Sequence, residues 1–537
     1  MKKSGMMFSY ILLLLIAGGV DCAFSKTVFP ASGTSGQLVV ALNNTPTHFN
    51  PAVHSGVLTG IVGSQLFAGL FRVDADGTVR PYLAETWSFS DDRLTLSVKL
   101  RQNACFHDGV AVSAEDVIFS LQTVKRYHPF VTMLSALDRM VALDEHTVKL
   151  HLKHHHPALF HVLTAVLTPI LPKHIYGDGQ YIPTHPANSE VIGSGPFKLT
   201  DYRFGEEITL KAFEHFFLPD RPYLNTIIFK IYSSPKDHPF ALENGEIQVV
   251  FFSPLLRYLS ALAENSNLKI SRKGYEAIGP MVWMGFNLQQ EPFNDIRVRR
   301  AFAHAIDLNF ITNYILGGPS TQLDGPIIRT SPFYAPPKNM IEYDIDKANH
   351  LLDEAGYKRD SQGKRMAVDI TCPPNLAPLK HSFLTFLRHQ LSRKIGVDLR
   401  IHEVAELSTW SKIISSRNFH ITIDSVFSWY DPVIGVHRTY LSNNIRTDVT
   451  WSNTLAYSNN RVDKLLEEAG KEKDIEQRKR LYAEFQNVVR EDLPMIWLGT
   501  MPYVTIFDKR LQGVNRSIWG ALAPMDEFFW QINEQDP

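Results

Sequence analysis

Between Leu94 and Asp116 the chain writes a strand, a turn and a helix start in direct succession, and that order narrows what it can fold into. Leu94, Leu96, Val98 and Leu100 alternate with polar neighbours, the period-two pattern of a strand with one buried face. Asp108-Gly109 is a turn pair. Ser113, followed by Glu115 and Asp116, is a helix start, and apolar spacing continues through Val117, Phe119 and Leu121. An acidic pair in a first helical turn favours the helix dipole, so Asp108, Glu115 and Asp116 are expected to serve the fold. Strands are also predicted at Leu38–Leu42 and at Val148, Leu150 and Leu152. Strand and helix patterns alternate throughout, which predicts α/β lobes. At 537 residues the chain exceeds one ordinary core, so two or more lobes are expected.

The first residues form an export signal by pattern. Lys2 and Lys3 are basic, Met6 to Val20 is almost wholly apolar, and Ala23-Phe24-Ser25 offers small residues at two spaced positions. Residues 1–25 are expected to be removed. The apolar run is shorter than the roughly 20 residues a spanning helix needs. Asp21 stands before Cys22, where a lipoprotein signal takes a small residue, so no lipid anchor is expected. No later segment is apolar enough to span a bilayer. The chain carries 54 Lys+Arg against 55 Asp+Glu. A nucleic-acid binder shows a basic excess, and this balance argues against that class.

The segment from Pro81 to Val117 resembles the signature of family 5 extracellular solute-binding proteins. Leu83-Ala84-Glu85-Thr86-Trp87, Leu100-Arg101, Phe106-His107-Asp108-Gly109 and Ala114-Glu115-Asp116-Val117 carry the match. It continues through Gly193-Ser194-Gly195-Pro196-Phe197, Pro292-Phe293-Asn294-Asp295-Ile296-Arg297 and Tyr457-Ser458-Asn459-Asn460-Arg461-Val462-Asp463. The resemblance implies a periplasmic receptor of an ABC importer. Its α/β fold would be bilobed, with two crossover strands at the hinge and an extra subdomain on lobe one. The expected limits are 26–283 for lobe one with the subdomain at about 67–191, 284–499 for lobe two, and 500–537 returning to lobe one. The crossovers are expected near Met281–Asn287 and Met495–Tyr503. Cys105 and Cys372 then fall in different lobes and are expected to be two free, buried thiols. A monomer that docks on a membrane permease is expected.

No enzyme constellation is recognisable. G-x-S-x-G, H-E-x-x-H, G-x-x-x-x-G-K and G-x-G-x-x-G are all missing. No cofactor is implied, and a secreted hydrolase has no sequence support. His154-His155-His156, with His151 and His161, is expected to be a solvated turn, because tetrahedral ligation gathers residues from separated positions.

Specificity should lie in a cleft that is mostly apolar or aromatic with a few polar anchors. By resemblance three segments face it. The first is Phe49 to Gly56, with His54, Ser55 and Gly56 as candidates beside Trp283 on the first crossover. The second, Thr371 to Pro378, has Asn375 where peptide-binding relatives can carry an Arg for the ligand carboxylate. The third, Asp424 to Pro432, supplies Phe427, Ser428, Trp429, Tyr430 and Asp431. Ser428 stands where many peptide receptors have an Asp for the α-amino group. Arg438, or His437, could supply a cation in compensation. Peptide is the leading ligand class. The alternatives on the same fold are haem (with His54, His437 or Tyr430 as axial candidates), an opine or sugar conjugate, and a nickel chelate.

Overall fold

The computed structural model describes residues 36–253, 258–275, 277–316, 322–374 and 377–531. The export signal and Asn375 lie outside these residues.

Two sheets organise the molecule. The first has seven strands, in the order Leu268–Ser271, Val504–Asp508, Val249–Ser253, Gln37–Leu42, Thr226–Ile231, Glu207–Ala212, Phe197–Arg203. Gln37–Leu42 at its centre is parallel to both neighbours, and its residues Leu38, Val40 and Leu42 are buried. The second has five strands, in the order Val397–Glu403, Met366–Cys372, Ile421–Phe427, Pro280–Phe286, Met495–Thr500. Each sheet has its own large apolar core. The expectation of a bilobed α/β chain holds.

The chain passes from the first sheet to the second between Ser271 and Pro280 and returns between Thr500 and Val504. The strands Pro280–Phe286 and Met495–Thr500 that receive these passages are antiparallel neighbours within the second sheet. Aromatic rings gather at the passages. Phe252 lies 5.1 Å from Tyr275 and 5.4 Å from Tyr503 between ring centroids. The Tyr275 hydroxyl receives the Phe252 N–H at 2.9 Å and sits 2.8 Å from Thr505 Oγ1. These bonds tie the first passage to the first sheet, and the Tyr503 ring of the second packs against the same Phe252.

A four-stranded antiparallel sheet, Ala84–Phe89, Thr95–Leu100, Thr147–Leu152 and Leu137–Asp144 in spatial order, forms the extra subdomain. The alternating leucines place Leu96, Val98 and Leu100 inward, fully buried. The helix Ala114–Tyr127 opens as its sequence predicts. Ser113 Oγ accepts the Asp116 N–H, and Asp116 accepts the Ser113 N–H at 2.9 Å. Asp116 also accepts the Lys173 N–H at 2.8 Å, so its carboxylate serves the fold. Substituting such a cap typically costs about 1 kcal/mol.

Two expectations are corrected. Cys372 is buried, but Cys105 is half-buried, because it sits at the surface turn bridged to Ala111. The histidine run is only partly solvated: His154 and His155 are half-exposed, whereas His156 is not. His156 is 6 % exposed, with Nε2 2.7 Å from the Met133 carbonyl and Nδ1 accepting the Ala158 N–H, so both ring nitrogens are satisfied inside. His161 stacks on Tyr430, centroids 4.5 Å apart.

Candidate functional site

The first two sheets meet along a seam built from three pieces of chain. The loop His48 to Gly56 comes from the first lobe. There Asn50 Oδ1 accepts the Ala52 N–H, and Asn50 Nδ2 donates to Asn188 at 2.8 Å, which fixes the turn. His48 Nδ1 accepts the Asn50 N–H at 3.1 Å, and His54 Nδ1 accepts the Gly56 N–H at 3.1 Å. The two rings meet edge to face at 5.2 Å. Burial holds the His54 imidazole down at about 4, and burial with the nearby His54 holds His48 at about 3. Gly56 begins the helix Val57–Leu66, and a Cβ there would stand 2.5 Å from the His54 ring. The glycine is therefore what leaves His54 its place. Ser55 Oγ is buried without a hydrogen-bond partner.

The second piece, also from lobe one, is Tyr127 to Phe130 at the end of the helix Ala114–Tyr127. His128 is fully buried and its Nδ1 accepts the Phe130 N–H at 2.9 Å. Burial, with His54, Arg438 and Arg446 nearby, holds its pKa at about 3.

The third piece is the end of the strand Ile421–Phe427 and the chain after it. Its ladder with Pro280–Phe286 runs on past the strand end. Ser428 N–H donates to Gly279 O and Trp429 N–H to Ile278 O, each at 3.1 Å, and Tyr430 N–H donates to Ala277 O. The loop is thus bonded to the first passage between the lobes. Trp429 and Tyr430 both have left-handed backbones, φ +55° and +52°. Such residues cost about 1–3 kcal/mol each and persist where the surroundings enforce them.

Asp431 supplies that enforcement. Its carboxylate takes Arg478 Nη1 and Nη2 at 2.8 and 2.7 Å and caps the turn Pro432–Gly435 through the Val433 N–H at 2.9 Å. Arg478 holds the Asp431 carboxyl below the usual range despite the opposing effect of burial. Asp431 faces its own lobe.

The other predicted residues are distributed as follows. Trp429 enters the core of the first lobe, 5.6 Å from Phe130 and 5.7 Å from Trp519. Tyr430 is 42 % exposed on His161. Phe427 stacks on Phe252 at 5.8 Å. Ser428 is packed against Gly279, where a Cβ would lie 2.0 Å from its Oγ and φ is +56°. Arg438 is 2 % exposed, its guanidinium 4.2 Å above the Phe130 ring. Trp283 is buried mid-strand in the second lobe's core, opposite Asp424 on one neighbour and Trp497 on the other. Directly opposed residues share a face of a sheet, so Trp283 flanks Asp424. His437 turns away from the seam, 3.0 Å from the Tyr482 hydroxyl.

Sequence reasoning missed Asp424, Trp451, His128 and Phe130. Asp424 accepts the Ser425 N–H at 2.7 Å and the Trp451 indole N–H at 3.0 Å, and burial pushes its carboxyl up to about 7. Trp451 lies 6.1 Å from His54, edge to face. Arg438 donates to the Trp451 carbonyl at 2.7 Å and the Phe427 carbonyl at 3.4 Å. His54, His128 and Phe130 on one lobe therefore face Asp424, Trp429, Arg438 and Trp451 on the other. The seam thus gathers polar groups of both lobes among aromatic rings. Among the described residues, no group of three or more His, Cys, Asp or Glu side chains could hold a metal ion.

Comparison with known proteins gives one consistent result. The family model described as bacterial extracellular solute-binding proteins, family 5 Middle, matches residues 78–448. The glutathione-binding protein GsiB of Salmonella typhimurium is 27 % identical over 505 residues, covering 91 % of this chain and 94 % of that protein. Among solved structures, NikZ from Campylobacter jejuni in complex with Ni(L-His) is similar with a TM-score of 0.79 and 26 % identity, over 92 % of this chain and 99 % of that one. AppA from Bacillus subtilis, an oligopeptide-binding protein in complex with a nonapeptide, is similar with a TM-score of 0.81 and 25 % identity, over 93 % and 99 %.

Proposed function

The chain belongs to the bacterial extracellular solute-binding proteins of family 5, and from that premise we propose that it is the periplasmic receptor of an ABC importer for peptides. The observation that carries this reading is the seam. Two lobes joined by two short passages set His54 of one 6.1 Å from Trp451 of the other, and Phe130 of the first 5.6 Å from Trp429 of the second. A ligand that touches both faces favours the closed arrangement by its differential affinity, which is how hinge closure works. The ladder from Ser428–Tyr430 to Ala277–Gly279 links one wall of the site to a passage, so ligand contact at Trp429 and rotation of the lobes are coupled. Binding, closure and delivery to a membrane permease are the proposed functional steps, with no catalysis.

The proposed ligand residues are His54, Ser55, Gly56, Trp283, Asn375, Phe427, Ser428, Trp429, Tyr430 and Arg438, to which the geometry adds His128, Asp424 and Trp451. Asp431 is proposed to act at one remove, by shaping the loop. The lobe limits expected from the sequence, removal of residues 1–25 and a monomeric receptor belong to the same proposal. No helix among the described residues is long and apolar enough to cross a membrane.

Peptide leads because AppA and GsiB, similar over nine-tenths of the chain, are named for peptide and glutathione binding. Titration of the exported protein with defined tripeptides, followed by tryptophan fluorescence, tests it. Trp429 and Trp451 both sit in the seam, so saturable quenching or enhancement is expected and should shrink in Trp429→Phe/Trp451→Phe to what Trp283 alone supplies. A flat response, with no heat in calorimetry, would remove peptide as the ligand.

A further inference from the structure

Where the lobes meet, neutral histidines of lobe one stand against cations of lobe two. His54 lies 6.1 Å from Trp451, edge to face, and 5.2 Å from His48 of its own loop. His128 lies 4.9 Å from Phe130, and the Arg438 guanidinium covers that ring from lobe two at 4.2 Å. Arg446, also of lobe two, donates to the His128 carbonyl at 3.3 Å. His54, Arg438 and Arg446 are the titratable or charged groups that His128 feels. Asp424 is the acid of this region, and it accepts from Ser425 and Trp451 of its own lobe. Among the described residues, the histidines paired with a carboxylate are His174, His185, His350, His402 and His420, so neither seam imidazole has an anion to offset a charge. Apolar contact completes the meeting, with Trp429, Val433 and Ile434 of lobe two in the core of lobe one.

The hydrogen bonds leave no place for a second proton on either ring. A neutral imidazole has one N–H and one free lone pair. His54 Nδ1 spends that lone pair on the Gly56 N–H at 3.1 Å, and His128 Nδ1 on the Phe130 N–H at 2.9 Å. The proton each ring already carries is therefore on Nε2. His128 Nε2 is buried with no acceptor. Charging either ring breaks its bond to the backbone and sets a second unmatched N–H in the seam, an uncompensated buried cation. Burial holds His54 at about 4 and His128 at about 3, with His54, Arg438 and Arg446 adding to the effect at His128. The lobes touch again where His161 stacks on Tyr430 and His156 lies near Asp431 and Arg478. There the Asp431 carboxylate works against the effect of burial on both rings, so that contact tolerates acid better than the seam does.

We propose that closure of this molecule is gated by protons: at neutral pH the contacts of the seam hold the lobes together, and protonation of His54 and His128 against Arg438 and Arg446 parts them. Once the lobes part, water reaches both rings and takes their N–H groups, so the open form binds protons as an ordinary histidine does. The closed form keeps its full advantage above about pH 6.5 and loses it as pH falls below that value. One pH unit lower, each imidazole moves the balance between closed and open about tenfold toward open. Asp424 is bonded within its own lobe and moves with its partners. Acid release of a captured ligand follows from the same linkage, which adds a regulation to the receptor reading above.

The test is small-angle X-ray scattering of the exported protein, stripped of carried ligand by dialysis from urea, at pH 7.5 and 5.5. Far-UV circular dichroism of the same samples reports the helices. The radius of gyration is expected to be small at pH 7.5 and to rise reversibly at pH 5.5 with the helix signal unchanged. His54→Asn/His128→Asn should stay compact at both values. The Asn side-chain carbonyl accepts a backbone N–H two residues on, as the ring nitrogen does, and takes no proton. His128→Asn alone is the second variant should the double one fail to fold, and it should move the expansion to lower pH. Asp424 is common to all three proteins, so the differences between them belong to the imidazoles. A radius that does not change with pH, or is already at its acid value at pH 7.5, would overturn the gate. Equal expansion of wild type and variants would do the same, as would expansion that comes with loss of helix signal. No ligand enters the measurement, so each of these results leaves the peptide reading to its own titration.

Discussion

Arg478→Met should unlock the loop that carries Trp429 and Tyr430. Arg478 is 3 % exposed and Asp431 5 %, and the two make parallel bonds of 2.8 and 2.7 Å. The guanidinium also donates to the Ala469 carbonyl at 2.9 Å and lies 4.6 Å from the Phe333 ring. Methionine preserves most of the packing and leaves the Asp431 carboxylate buried alone. Removing one partner of such a pair costs about 3–5 kcal/mol. Asp431→Asn in the same chain keeps the cap on the Val433 N–H and removes the stranded charge, so the double variant should be less damaged than the sum of the single ones. The assay is urea denaturation of wild type, both single variants and the double, read as a double-mutant cycle. Coupling of at least about 2 kcal/mol is expected on these grounds. Because the pair also enforces the left-handed backbones at 429 and 430, ligand affinity should fall with stability. A loss under about 1 kcal/mol, or additive effects, would refute the assignment of this pair as the loop's anchor.

Two further outcomes follow from the seam. Gly56→Ala places a Cβ 2.5 Å from the His54 ring, so the imidazole must move; ligand affinity should drop severalfold while the thermal midpoint changes little, and unchanged affinity in calorimetry would exclude His54 from the site. The Asp424 carboxyl, pushed up to about 7 from 3.8, keeps its proton in the folded chain while the unfolded chain loses it. Stability from this group is therefore full below about pH 4 and is lost as pH rises to 7, by about 4 kcal/mol at 1.36 kcal/mol per pH unit. Asp424→Asn removes the titration, so its stability relative to wild type should climb between pH 4 and 8 in urea denaturation, whereas a constant difference would contradict the buried, protonated acid.

What could be seen in the sequence was local. The alternation of Leu96, Val98 and Leu100 and the Ser113–Asp116 box each depend on neighbours a few residues apart, and each stands in the structure in its expected form. The bilobed architecture was legible through family resemblance, which integrates patterns over the whole chain. The seam was not legible, because it joins residues distant in sequence. His128 looks like a helix end, Asp424 like one position of a buried strand and Trp451 like a loop tryptophan; only the meeting of two lobes makes them one site. The histidine run misled for the opposite reason. Consecutive positions on a turn argued against shared metal ligation and left solvent as the expected environment, yet His156 finds both ring partners on the backbone and so can be buried.

The most direct test of the receptor assignment is native mass spectrometry of the protein exported to a periplasm, with fragmentation of whatever is released. The account predicts a mass above the bare chain from residue 26 onward, resolving into peptides. A bare chain that gains no mass when peptides are supplied, or a single ligand of another class such as haem, would contradict it.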